Sequence, residues 1–209
     1  MTEHDSDAIA TIHRELHTHL PSEPALRAKA LESLLVDKGM LDPAAIDAWL
    51  ERYSEEIGPK NGARIVARAW VDDDFKTQLL ADAAQAIQLL GYQSDHLTAV
   101  ENTDSVHNLV CCTLCSCYPN GLLGMPPAWY KMAAYRSRAV REPRSVLAEF
   151  GVELDEGIDV RVWDSTAELR FIVLPQRPAG TDGWDEARLE ELVTRNAMIG
   201  THRDLTVHN

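Results

Sequence analysis

Between Pro24 and Leu90 apolar residues recur at three- and four-residue intervals, separated by short polar breaks. Leu26, Ala30, Leu34 and Leu35 form the first stripe, with Pro24 early in the turn and Gly39 as a C-terminal cap, which predicts a helix that buries one face. Asp42-Pro43 opens a second helix carrying Ile46, Trp49, Leu50 and Tyr53, since an acidic cap before proline suits a helix start. Residues 63–70 continue as a short helix. In "DDDFKTQLLADAAQAIQLLG" the spacing of Phe75, Leu79, Ala83, Ala86 and Leu90, with acids in the first turn and Gly91 at the end, predicts one longer helix. Residues 1–20, polar and spotted with histidine, predict a frayed or weakly helical start.

After Gly91 the period shortens to two. "HLTAVEN" and "VHNLVCC" predict short strands around a polar turn, and "DVRVWDS" with "LRFIVLP" predicts a β-hairpin of β-branched and aromatic residues. A proline-punctuated aromatic segment separates these pairs, and "DEARLEELVT" predicts a closing helix. The expected class is α+β: an N-terminal helical arm over residues 1–60, then a layered α/β domain over residues 61–209.

Composition narrows the partners. Twenty basic against thirty-three acidic residues give a net charge of -13, which opposes attraction to nucleic acid and to anionic membranes. No apolar run approaches the roughly 20 residues of a membrane span, and no signal-peptide pattern opens the chain. A cytoplasmic protein is expected. The one basic concentration, Lys131 to Arg144, reads as a solvated or subunit-facing segment.

All four cysteines of the 209 residues fall in "LVCCTLCSCYPNG". A chain of this length buries a core without disulfides, so stability does not explain them. Cys111, beside an apolar strand, reads as a small buried hydrophobe. Cys112, Cys115 and Cys117, in the spacing C-x-x-C-x-C, leave several readings open. A redox dithiol would use C-x-x-C, although proline and glycine follow where a helix would start. Structural zinc, or an iron–sulfur site, wants four side-chain ligands, and His107 could complete such a set. The remaining reading uses the backbone: in C-x-C the amides lie beside any metal held by both sulfurs, and deprotonated amides would suit a trivalent cobalt or iron ion.

The loop "VCCTLCSCYP" closely resembles the metal-binding loop of nitrile hydratase alpha subunits. The resemblance extends through "NGARIVARAWVDDDFK", "ENTDSVHNLV", "PPAWYKMAAYRSRAVREPRSVLAEFG", "VRVWDSTAELRFIVLPQRPAGTDGW" and "LVTRNAMIG", most of the chain from about residue 20 onward. It implies a non-haem centre of cobalt(III), rather than iron(III), because Thr113 with Tyr118 looks like the cobalt version. By the same match Cys112, Cys115 and Cys117 are thiol ligands, and Ser116 and Cys117 donate main-chain nitrogens. Cys115 would become a sulfinic acid and Cys117 a sulfenic acid, and Gln93 would organise water or substrate near the metal. The implied reaction is hydration of a small-molecule nitrile to its amide, with either water or the oxygen of modified Cys117 as nucleophile. The implied partners are a beta subunit, in an αβ or (αβ)₂ heterotetramer, and a metallation or activator protein. A thiocyanate hydrolase-like catalytic subunit, which shares this type of loop, and a zinc-stabilised interaction module are the alternatives. Two features depart from the family: Asn120-Gly121 follows the loop where an aromatic residue and a proline are common, and Cys111 stands where an aliphatic residue is usual.

Overall fold

The structure is a computed structural model that describes residues 23–52, 59–94, 96–203 and 205. The chain divides into two units, Met1–Leu50 and Glu51–Asn209. The expectations for residues 1–20, for the Leu50 side chain and for Tyr53 lie outside the described residues.

Helices Glu23–Asp37 and Pro43–Arg52 form where the spacing placed them. Gly39 takes a positive φ of 64°, and its N–H and that of Met40 reach back to the carbonyls of Val36 and Leu35 at 2.8 and 2.9 Å. That is the left-handed C-terminal cap a glycine permits. The buried stripe is corrected, however: the first helix has no buried residue, and Leu26, Leu31 and Leu34 are each more than half exposed. Helical spacing reports an apolar face, and whether that face is covered depends on what lies opposite it.

In the second unit, helix Lys60–Val71 buries Ile65, Val66 and Ala69. The expected long helix is broken. Asp82 takes extended backbone and accepts a hydrogen bond from the Gln85 N–H at 3.0 Å, so helix Asp73–Ala81 ends and Ala83–Ala86 starts afresh before a 3₁₀ turn to Leu90. Its carboxylate competes with the helix for those N–H groups. Asp72 caps Asp73–Ala81 in the same way through Phe75.

Among the described residues four strands follow: β1 Leu97–Glu101, β2 Val106–Cys111, β3 Asp159–Asp164 and β4 Arg170–Leu174. β1 pairs with β4 and β2 with β3, both parallel. The expected β3–β4 hairpin therefore does not form. Every residue from Phe171 to Leu174 is buried, as in a parallel strand covered on both faces, and such pairing needs a long crossover rather than a tight turn. The β2–β3 crossover contains helices Asn120–Leu123, Ala128–Lys131, Ala133–Arg141 and Pro143–Glu149.

Two buried asparagines join the sheets. Asn102, just past β1, accepts from Asn108 N and Nδ2 at 2.7 and 3.0 Å, while Asn108 Nδ2 also donates to Glu101 O and its Oδ1 accepts from Trp163. This satisfies polar groups that burial would otherwise penalise. The expected closing helix is shorter, Glu186–Glu190, and a further helix, Arg195–Ile199, covers β2 and β4. It stops at Gly200, whose φ is 93° and where a Cβ would lie 1.9 Å from Asn108 O. Gly200→Ala combines backbone strain with overpacking against a main-chain atom, so urea unfolding should show a loss of about 3 kcal/mol. An unfolding midpoint equal to the parent's would contradict this packing.

Candidate metal centre

The site begins where a strand ends. β2 is buried from His107 onward, and its last residue, Cys111, together with Cys112, has no exposed surface. Burial, followed by the neighbouring Asp164 and Cys112 charges, pushes the Cys111 thiol up to about 12. Cys111 is thus the inert core thiol that its apolar surroundings suggested. From Cys112 the chain leaves the strand and curls, without regular structure, until helix Asn120–Leu123.

The curl brings Cys112, Cys115 and Cys117 together, their sulfurs all within 4.8 Å of one another. Cys112 Sγ lies 3.5 Å from Cys115 Sγ, which lies 3.2 Å from Cys117 Sγ. With metal–sulfur bonds of about 2.3 Å, sulfurs adjacent on an octahedral ion sit about 3.3 Å apart and on a tetrahedral ion about 3.8 Å. The two edges, 3.5 and 3.2 Å, lie nearer the first spacing. The N–H of Cys115 points to Cys112 Sγ at 3.3 Å. The amides of Ser116 and Cys117 lie along the chain between the second and third of these sulfurs.

Proton affinities within the triangle diverge. Donation from the Cys117 thiol, then from Cys112, lowers the exposed Cys115 thiol to about 7. Burial, then its role as donor to Cys115, raises Cys117 to about 12. Cys115 is the sulfur poised to become an anion near neutral pH, the form that binds metals.

Three side chains from elsewhere hold the loop. Asp164 accepts from Thr113 N and Oγ1 at 2.8 and 2.6 Å, Arg136 Nη1 donates to Cys115 O at 2.6 Å, and the Tyr130 hydroxyl donates to Cys117 O at 3.0 Å. Tyr135, on the helix bearing Arg136, donates to Val110 O at 2.7 Å and so ties that helix to β2. Asn61 Nδ2 donates to Gly121 O at 3.0 Å, fixing the segment that leaves the loop. On the same helix Arg138 and Arg141 hydrogen-bond locally, to Glu142, Glu149 and Ser137, so they do not brace the loop as Arg136 does.

The remaining sequence candidates fall outside the triangle. His107 is buried with its Nε2 hydrogen donated to Gly200 O at 2.7 Å, and burial pushes its pKa down. It does not join the sulfurs as a zinc ligand, and among the described residues no histidine or carboxylate completes a four-side-chain site with them. Gln93 is exposed in the loop after Gly91, and among the described residues no hydrogen bond links it to the cysteines. Sequence reasoning missed Asp164 and Tyr130 as loop anchors. The signal for Asp164 was the strand register: Cys111 and Asp164 are partners at the ends of equal six-residue strands.

Three converging thiols, at the end of a buried parallel strand, define a thiolate metal-binding protein. Residues 22–202 match the family "Nitrile hydratase, alpha chain", and the chain belongs to that family. The low-molecular weight cobalt-containing nitrile hydratase subunit alpha of Rhodococcus rhodochrous is 53% identical over 91% of this chain and 95% of its own length. Thiocyanate hydrolase subunit gamma of Thiobacillus thioparus is 40% identical over 82% of this chain and 76% of that one. The structure of a double mutant of the Fe-type nitrile hydratase from Comamonas testosteroni Ni1 superposes with a TM-score of 0.78 at 41% identity, covering 88% of this chain and 92% of that chain. No helix among the described residues is long and apolar enough to cross a membrane.

Proposed function

We propose that this chain is the metal-bearing subunit of a nitrile hydratase, which adds water to a nitrile, R–C≡N + H₂O → R–C(O)NH₂. The observation that carries the reading is the sulfur triangle in a chain of the nitrile hydratase alpha family. Cys112, Cys115 and Cys117 would hold the ion through sulfur, and Ser116 and Cys117 through main-chain nitrogen. Cobalt(III) is favoured over iron(III), because the 53%-identical relative is a cobalt-containing subunit. A trivalent ion supplies Lewis acidity, which polarises a nitrile or lowers the pKa of water.

The chain's own residues supply the setting. Buried Cys112 ties the site to β2, while Asp164 and Tyr130 hold the first and last turns of the loop. Cys115, the more acidic and exposed thiol, carries the sulfinic state. Cys117 would carry the sulfenic state, and its oxygen would act on the nitrile carbon or orient water. Gln93 positions water or substrate. Donors from a beta subunit neutralise the oxidised sulfurs in an αβ or (αβ)₂ complex, which a metallation factor loads in the cytoplasm. Residues 1–60 form an arm to the catalytic domain, 61–209.

A thiocyanate hydrolase reading stands second, because one relative bears that name. The co-expressed, cobalt-grown complex is expected to convert nitriles to amides faster than it consumes thiocyanate. Mass measurement of the unreduced loop peptide should find about two added oxygens at Cys115 and about one at Cys117. Thiocyanate turnover without amide formation would replace the assignment. Stoichiometric zinc on unoxidised cysteines would replace it with an interaction module.

A further inference from the structure

The geometry points to Arg136 as the residue that presets the Cys115–Ser116 peptide group for capture of a cation, a positioning role that rests on the metal-centre reading above. Cys115 is exposed and Leu114 is 88% exposed, so packing does not fix this part of the loop. Its neighbours have other anchors: Asp164 holds Thr113 and Tyr130 holds Cys117. Between them, the Arg136 guanidinium is the charged donor on the Cys115 carbonyl, at 2.6 Å.

That carbonyl shares its peptide group with the nitrogen of Ser116. No cis peptide occurs among the described residues, and in a trans peptide the C=O and N–H point in opposite directions. A guanidinium holding the oxygen on the helix side therefore turns the Ser116 N–H away from the helix, to the opposite side of the peptide group. Peptide resonance adds an electrostatic reason. When such a nitrogen binds a cation as an anion, part of the negative charge falls on the carbonyl oxygen, and a charged donor there makes a stronger hydrogen bond than a neutral one.

The guanidinium is delivered by a fixed support. Helix Ala133–Arg141 buries Tyr135 and Ala139 and is tied to β2 through Tyr135. Arg136 is half-buried, and its Nε is buried without a hydrogen-bond partner among the described residues. The side chain keeps its contact with the loop although one of its own donors goes unmatched. A lysine could retain the charge but not the planar fork.

The test uses the co-expressed, cobalt-grown complex with its beta subunit, comparing the parent with Arg136→Met, Arg136→Lys and Arg138→Met. Cobalt per complex is measured by elemental analysis, cobalt loss by the rate of release to a chelator, and folding by the unfolding temperature of the metal-free complex. Losing an outer partner of a metal ligand costs about 10–100-fold in affinity. Arg136→Met should therefore release cobalt about 10–100-fold faster, Arg136→Lys about tenfold faster, and Arg138→Met at the parental rate. The unfolding temperatures of the two Arg136 variants should stay close to the parent's. If Arg136→Met fails to assemble, the lysine variant decides the matter. Parental release rates in the assembled Arg136 variants, or equal losses in Arg136→Met and Arg138→Met, would overturn the assignment. A parent complex that takes up neither cobalt nor iron would instead sink the metal-centre reading, leaving the Arg136 contact a structural brace.

Discussion

Cys112→Ser, made in the assembled complex grown with cobalt, is expected to lose nearly all of its metal and at least a hundredfold in nitrile turnover. The exchange keeps side-chain shape but removes one of three sulfurs that lie within 4.8 Å of one another. A hydroxyl is a poor substitute, because soft thiolate donors are what this kind of site offers its ion. The loss should exceed the 10–100-fold associated with an outer partner. Cys111→Ser is the matched control: it neighbours Cys112 and is equally buried, but its sulfur lies outside the triangle. That variant should cost about 1–2 kcal/mol for a buried hydroxyl and keep its cobalt. Elemental analysis beside a nitrile assay reads both, and a metal-loaded, active Cys112→Ser complex would remove the triangle from the chemistry.

Expression of residues 1–209 without a beta subunit is expected to yield a folded chain with less than about a tenth of the cobalt and activity of the complex, a loss on the scale of missing outer partners. The loop opens at the surface: Cys115 is exposed, and Leu114, Met125 and Met132 present 88%, 58% and 57% of their area to solvent. Oxidised cysteines would add negative charge to a chain already at -13. Among the described residues, Arg136 spends its loop contact on a carbonyl rather than on a sulfur. Anionic groups enclosed without paired donors are costly, and charge-assisted bonds from a partner remove that cost. Size-separated material should recover metal and turnover on co-expression with the beta subunit. A cobalt-loaded, fully active single chain would defeat the argument.

The sequence made the loop legible because its chemistry is local. Three thiols within six residues can converge through the backbone alone, and the measured 3.2 and 3.5 Å separations follow that spacing. Helix starts were legible for a similar reason, since Asp72 and Asp185 cap from one position before their helices. Asp82 exposes the limit of apolar periodicity: the pattern runs through it, while its carboxylate caps a new helix and breaks the old one. The strand pairing was not legible. Val160, Val162 and Trp163 look the same in a hairpin as in a parallel edge strand, and what decides is the long crossover that carries helices. The anchors of the loop depend on that pairing, so Asp164 and Tyr130 stayed hidden with it. Leu26 and Leu34 failed differently, because an apolar stripe is a property of one helix and burial is a property of two surfaces.

The parallel register of β2 and β3 also sets an order of events during synthesis. Thr113 and its anchor Asp164 are 51 residues apart, whereas Arg136 follows Cys115 by 21 and Tyr130 follows Cys117 by 13. At roughly 5–20 residues per second, Asp164 is made about 3–10 s after the cysteines. For that interval the nascent loop has all its thiols but neither its carboxylate clamp nor the strand beside it. Non-local pairings of this kind form late and slowly. The carboxylate clamp on Thr113 is therefore the last of the three anchors to be made, and it comes into place only as β3 closes against β2.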